Sequence, residues 1–131
     1  MSQDRLKQRF DDFQSALSAL EEGLNIAKDD LHRDGVIQRF EFTYELAWKT
    51  MKLWLADKDV FVGNPKDALS AALENGLIMD GNLWSDLHRC RNLTSHTYNE
   101  ATAVEVYNAI KQEALPAFHD FASRIKKLGG E

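Results

Sequence analysis

The residues of this 131-residue chain best suited to chemistry lie together, between positions 91 and 98. The segment reads RNLTSHTY and supplies Arg91, Asn92, Ser95, His96 and Tyr98 as candidate substrate-binding groups. A guanidinium binds phosphate oxygens bidentately and stays charged, whereas an imidazole exchanges a proton near neutral pH. Arg91 and His96 could therefore be catalytic in metal-independent RNA cleavage, with Arg91 stabilising the phosphate and His96 moving the proton.

The spacing within the segment leaves its role open. Five residues of a straight helix turn by about 140°, so Arg91 and His96 diverge unless the helix ends between them or a second chain completes the site. Arg91, Ser95 and Tyr98 would instead share one face. The alternative is a polar helix end whose charges cap the helix or form surface ion pairs, with Tyr98 as a core residue.

The densest cationic group of the chain overlaps this segment. It could form a phosphate or nucleotide pocket, or a solvated face that Asp86 and Glu100 balance. Its members are His88, Arg89, Arg91 and His96.

Other chemistries find little support. The four histidines lack the HExxH spacing of a metal site, and the glycines form no phosphate loop, so no metal or cofactor is predicted. Cys90 precedes Arg91, which could lower its pKa, but its neighbours favour a buried or unreactive thiol. Trp48, Trp54 and Trp84 lie on apolar stripes and are predicted to pack in the core.

Length and composition predict one soluble domain over residues 1–131. The net charge of -5 counts against stable, stand-alone binding to duplex DNA, which usually requires a basic protein. A single cysteine allows no intrachain disulfide and fits a reducing cytosol. Neither a signal peptide nor an apolar run of about 20 residues is present, so a cytoplasmic protein is expected.

Apolar spacing predicts that long helices carry the segment. From Asp4 to about Asp30, apolar residues recur in steps of four and three, as in a bundle helix. After a polar break, with Asp34 as the expected N-cap, a second helix is predicted from Gly35 to Ala56. Its broad apolar face indicates a central helix or one that contacts a second subunit. The first stripe is Leu6, Phe10, Phe13, Leu17, Leu20, Leu24, Ala27 and Leu31, and the second face is Val36, Ile37, Phe40, Tyr44, Ala47, Trp48, Met51, Trp54 and Leu55.

Three more helices are predicted downstream. Asn64 caps a short helix that Gly76 ends in the left-handed conformation, and Asp80 lies at the start of the helix that delivers residues 91–98. The last helix begins near Asn99, should kink or break at Pro116, and reaches a glycine ending at 129–130. The predicted fold is all-α: an antiparallel up-down four-helix bundle with an additional short helix.

Arg91, His96 and Tyr98 match the Arg-x4-His-x-Tyr signature of the HEPN superfamily. More closely, the chain resembles the nucleotidyltransferase substrate-binding protein family, small helical bundles encoded beside a minimal nucleotidyltransferase. The resemblance covers most of the chain, including the aromatic stretch FEFTYELAWK at 40–49 and the region from Arg89 to Glu100.

This resemblance implies a homodimer in complex with a separate minimal nucleotidyltransferase chain. In related toxin–antitoxin pairs the helical partner is a ribonuclease toxin, which implies that Arg91 and His96 act at a site shared across the dimer. The nucleotidyltransferase then adenylylates the tyrosine corresponding to Tyr98. In the substrate-binding branch, the bundle instead completes the substrate site of its partner.

The chain lacks the Gly-Ser and paired-aspartate motif of a nucleotidyltransferase, so it is not expected to transfer a nucleotide by itself. Three hypotheses remain for its function. The first is an accessory subunit that offers residues 91–98 to a nucleotide or a phosphorylated substrate. The second is a metal-independent HEPN ribonuclease toxin that binds RNA and is regulated by adenylylation of Tyr98. The third is a structural bundle in which this segment is only a helix end.

Overall fold

Helices account for all the regular structure in a computed structural model that describes residues 2–128. The predicted all-α class is confirmed, and the described range contains no strand. A 3-10 turn at Thr94–His96 follows the fourth helix, and a π-helical turn at Ile110–Ala114 joins the last two. The α-helices are α1 Ser2–Ile26, α2 Asp30–Ala56, α3 Pro65–Glu74, α4 Gly81–Leu93, α5 Glu100–Ala109 and α6 Leu115–Lys127.

The core forms where α1, α2, α4 and α6 bring aromatic rings together. Phe13 has no exposed surface and contacts Phe118 and Phe121 edge to face, with ring centroids 5.8 and 5.3 Å apart. Edge-to-face pairs of this kind add about 0.5–1.5 kcal/mol beyond the burial of their area. The whole predicted face of α2 is buried, and the predicted packing of Trp48, Trp54 and Trp84 is confirmed.

The predicted start of α2 is wrong. The helix begins at Asp30, because the Asp29 carboxylate accepts a hydrogen bond from the backbone N–H of His32 at 2.9 Å and so caps it. Asp34 therefore lies inside the helix. Leu31, the predicted end of the first stripe, is instead in the first turn of α2 and 80% exposed.

The caps of α3 agree with the sequence pattern. Asn64 Oδ1 accepts a hydrogen bond from the Asp67 backbone N–H at 2.9 Å, and Gly76 has a φ of 80°. That left-handed conformation favours glycine, so the predicted end of the short helix is confirmed.

The predicted last helix is divided into α5 and α6 just before Pro116. The π-helical turn widens the chain just before it, and the Leu115 N–H bonds to the Ile110 carbonyl. The α-helical pattern restarts at Leu115, which puts Pro116 in the first turn of α6, where a backbone donor is not needed. The glycine ending predicted at 129–130 lies outside the described residues. Within residues 2–128, no helix combines the length and apolarity that crossing a membrane requires.

Candidate functional site

Helix α4 delivers the candidate segment and ends inside it. Asp80 caps the helix by accepting a hydrogen bond from the Leu83 N–H at 3.0 Å, and Trp84 and Leu87 anchor it in the core. The α-helix ends at Leu93, and the tighter 3-10 turn carries the chain to His96. Arg91 and His96 therefore do not lie on one straight α-helix, but the 3-10 turn does not bring them to one face either, because it rotates the chain by about 120° per residue.

Thr94 fixes this turn to α2. Its hydroxyl oxygen lies 2.9 Å from Glu41 Oε2 and 2.7 Å from the Arg91 carbonyl oxygen, both of which are acceptors. Thr94 is only 8% exposed, so its hydroxyl depends on these partners and not on water. The start of the segment is therefore held by a buried hydrogen-bonding residue.

Arg91 is paired with two carboxylates of α2. Its Nε lies 3.4 Å from Glu45 Oε2, and its Nη1 lies 3.7 Å from Glu41 Oε2. About a third of each of these side chains is exposed. The expected phosphate clamp is thus charge-compensated within the chain, and a phosphate would compete with both carboxylates. Arg91 Nε is buried and makes no hydrogen bond, so the guanidinium keeps one unused N–H donor.

The rest of the segment faces solvent. His96 is exposed and Tyr98 is 86% exposed, with their ring centroids 6.1 Å apart at an interplanar angle of 70°. The core alternative for Tyr98 is therefore wrong. Asn92 and Ser95 are also exposed, and the Ser95 hydroxyl donates to the Asn92 carbonyl at 3.1 Å. In the described part of the chain, no hydrogen bond or ion pair joins Arg91 to His96.

The far end of the segment is fixed by α5. Asn99 caps this helix, with its Oδ1 accepting from the Thr102 N–H at 3.0 Å. The guanidinium of Arg33 donates to both oxygens of Glu100, at 2.8 and 3.2 Å. This bidentate bond holds the pKa of Glu100 below its usual value. Residues 91–98 are thus held at both ends, while His96 and Tyr98 between those ends face solvent.

A Tyr–His pair that sequence reasoning missed joins α2 to α4. Tyr44 is fully buried, and its Oη lies 2.8 Å from His88 Nδ1. Burial raises the pKa of Tyr44, so its phenol remains protonated. Its O–H has no other acceptor among the described residues, and a buried unpaired donor costs about 1–3 kcal/mol. Tyr44 therefore donates to Nδ1, so Nε2 is the His88 ring nitrogen that carries a proton.

Cys90 is a core residue, although it adjoins Arg91. Its side chain is 5% exposed, and burial raises the pKa of the thiol to about 11. The prediction of a buried, unreactive thiol is consistent with this environment. Residues 2–128 contain no group of three or more His, Cys, Asp or Glu side chains placed to hold a metal ion.

Comparisons with known proteins agree on one family. The family model described as nucleotidyltransferase substrate binding protein like matches residues 8–127. The probable ribonuclease HepT of Haemophilus influenzae is 43% identical over an alignment of 81 residues, and the match covers 58% of this chain and only 56% of that relative.

Two solved structures share the fold. A Haemophilus influenzae protein, described as having the fold of a substrate binding domain of a nucleotidyltransferase, superposes with a TM-score of 0.79 at 30% identity, covering 89% of this chain and 98% of that one. A Thermus thermophilus protein gives a TM-score of 0.73 at 30% identity, with coverages of 88% and 97%. Since the family model spans nearly all the described residues, the chain belongs to the nucleotidyltransferase substrate binding protein-like family.

Proposed function

We propose that this chain is the helical accessory subunit of a separate minimal nucleotidyltransferase and presents residues 91–98 to its partner's active site. The observation that carries the proposal is the exposure of Tyr98, which is 86% accessible on a segment fixed at both ends. A segment whose backbone is held at both ends costs little to order when a partner binds. Family membership supports a nucleotidyltransferase as that partner.

Tyr98 is also suited to accept a nucleotide from the partner. Its phenol oxygen would attack the α-phosphorus of ATP, forming an O–P bond and releasing pyrophosphate. The His96 imidazole, whose ring centroid lies 6.1 Å from that of Tyr98, would take the phenol proton once binding of the partner brings the two groups within hydrogen-bond distance. This role for Tyr98 makes the segment both the docking surface and the substrate of the nucleotidyltransferase.

Co-expression with the minimal nucleotidyltransferase from the same genome, followed by size-exclusion chromatography, tests the pairing. Elution as one complex is expected, and elution as two separate species would contradict the accessory role. The purified pair is then incubated with ATP and magnesium, and the intact mass of the helical chain is measured. We expect a gain of one AMP on the wild type and on Tyr107→Phe, but none on Tyr98→Phe. A complex without a mass gain would retain the accessory role and remove the modification.

The ribonuclease relative favours a second function, metal-independent cleavage of RNA by Arg91 and His96. The turn at Thr94–His96 does not bring Arg91 and His96 to one side of the chain, so this function needs a second chain to complete the site. The ion pairs of Arg91 with Glu41 and Glu45 count against it in a single chain, since phosphate must displace a carboxylate.

RNA cleavage and growth arrest on expression test this second function. His96→Ala should lower cleavage by at least about 100-fold, as loss of a general acid or base does. Arg91→Ala should also abolish it, whereas the neighbouring Arg89→Ala should not. A wild-type protein that neither cleaves RNA nor arrests growth would eliminate the ribonuclease.

The proposed homodimer would use the exposed side of α2. Phe42 is 55% exposed and lies between Glu41 and Glu45 in sequence, so a second chain covering it would adjoin the carboxylates that pair with Arg91. Light scattering should report a dimer that Phe42→Asp converts to monomer. Phe61→Asp, which alters a phenylalanine that is 78% exposed, should leave the dimer intact. A wild-type monomer at all concentrations would rule out this assembly.

A further inference from the structure

A groove lies between α3 and α4, outside the candidate segment. Its volume is about 340 Å³, within the range of about 300–1,000 Å³ typical of small-molecule sites. Leu69, Leu73 and Ile78 provide its apolar wall, and none of the residues 91–98 lines it. A Cβ on Gly81 would lie 2.9 Å from Leu73 Cδ2, so this glycine allows the wall to pack against the first turn of α4.

The polar lining of this groove can bind an anion. Lys66 supplies positive charge, His88 supplies an N–H donor, and Ser70, Asn82 and Ser85 supply hydroxyl and amide donors. No acidic residue is among the described residues that line it, although the chain carries a net charge of -5. Within residues 2–128, Lys66 makes no ion pair. Its charge is therefore available to a ligand.

A cleft of similar size on the other side of α4 has an acidic lining. The cleft between α4 and α5, of about 320 Å³, is lined by Asp86, Glu105 and Glu113. Its arginine, Arg89, is paired with Glu105 at 3.5 Å. Thus an acidic cleft and a groove without acidic groups flank the same helix, and only the second is complementary to an anion.

The Tyr44–His88 pair decides which nitrogen of this lining residue is available. Nδ1 of His88 is occupied by the Tyr44 hydroxyl at 2.8 Å, so Nε2 is the ring nitrogen available to a ligand. Tyr44 is fully buried and cannot itself reach the groove. It is a positioning residue, because its hydrogen bond to Nδ1 leaves the imidazole with its N–H donor at Nε2.

We propose that the groove between α3 and α4 binds a small organic anion. The anionic head would contact Lys66 and His88, and the apolar body would pack on Leu69, Leu73 and Ile78. The groove requires neither the nucleotidyltransferase partner nor modification of Tyr98, so it can be tested on the isolated chain.

Titration of the full-length chain, followed by ¹H–¹⁵N NMR, provides the test. Phenyl phosphate and benzoate serve as probes and distinguish a phosphate head from a carboxylate head. At least one should saturate with a Kd below about 1 mM and shift the amides of Lys66 and Ser85. Inorganic phosphate and benzyl alcohol each lack one half of the ligand and should bind at least about tenfold more weakly. Failure of both probes to saturate, or equal binding of benzyl alcohol, would overturn the proposal.

Variants then assign the groups. Lys66→Met should weaken binding of the better probe about tenfold, the scale of a lost charge-assisted contact, whereas Lys111→Met should not. Tyr44→Phe should weaken binding and also change the ¹⁵N shifts of the His88 ring toward a mixture of tautomers. Because Lys66 is exposed, Lys66→Met is expected to fold and tests the site even if Tyr44→Phe does not. Unchanged affinity in a folded Lys66→Met would refute the assigned head-group contact.

Discussion

The aromatic core and the segment at 91–98 use their side chains in opposite ways. In the core, Phe13, Phe118 and Phe121 have no exposed surface and interlock edge to face. In the segment, backbone caps and Thr94 hold the chain while His96 and Tyr98 project into solvent. Stability and proposed chemistry therefore reside in different side chains, so substitutions should separate them.

Loss of a core ring should have the largest effect. Phe13→Ala is expected to lower the free energy of unfolding by about 3–5 kcal/mol, because it removes buried contacts and leaves a cavity. Urea denaturation measures this change. Phe61→Ala alters a ring that is 78% exposed and should stay within about 0.5 kcal/mol of wild type. Equal losses in the two variants would contradict the assignment of the core to the α1–α6 rings.

Cys90 tests whether α4 separates the buried core from the exposed segment at 91–98, because Cys90 adjoins Arg91 in sequence but faces the core. Raising its pKa from 9.0 to about 11 lowers the thiolate fraction near pH 8 by about 100-fold, and burial limits access further. Reaction with iodoacetamide should therefore be at least about 100-fold slower than for glutathione, and should accelerate as the pH rises toward 11. The urea-unfolded chain is the control and should react at the ordinary rate. Rapid labelling of the folded chain would place Cys90 with the accessible segment.

Arg91 stands between the two regions, and a double-mutant cycle with Glu45 measures its attachment to α2. We expect a coupling energy of about 0.5–1 kcal/mol, because both side chains are about two-thirds buried. Arg89 and Glu105 form a matched control at 3.5 Å, but their side chains are 65% and 55% exposed. Their coupling should be near 0.2 kcal/mol, about the lower limit for exposed pairs. Identical couplings would mean that burial does not strengthen the Arg91 pair.

Sequence periodicity predicts the core better than the site for a physical reason. A stripe such as Phe10, Phe13 and Leu17 follows from the turn of one helix, so it needs no knowledge of neighbours. Asp29 and Asp34 are both plausible caps, and only the contact with the His32 N–H selects Asp29.

Contacts between α2 and α4 depend on how two helices cross. Tyr44 and His88 are 44 positions apart, and Arg91 is 46 positions from Glu45, so no local pattern predicts either pair. The exposed residues His96 and Tyr98 are identifiable from residue type and spacing. Arg91 is identifiable as well, but its neutralisation by α2 carboxylates could not be read from the sequence.

Tyr98→Phe should have the smallest effect on stability and thereby validates its use as a probe of function. Only a hydroxyl is removed from a side chain that is 86% exposed, so the free energy of unfolding should change by less than about 0.5 kcal/mol. Urea denaturation of the two proteins side by side makes the comparison. Under that outcome, absence of an AMP adduct on the variant reports loss of the acceptor oxygen. A loss above about 1 kcal/mol would show that the ring helps to hold the segment, and the adduct experiment would then need a different substitution.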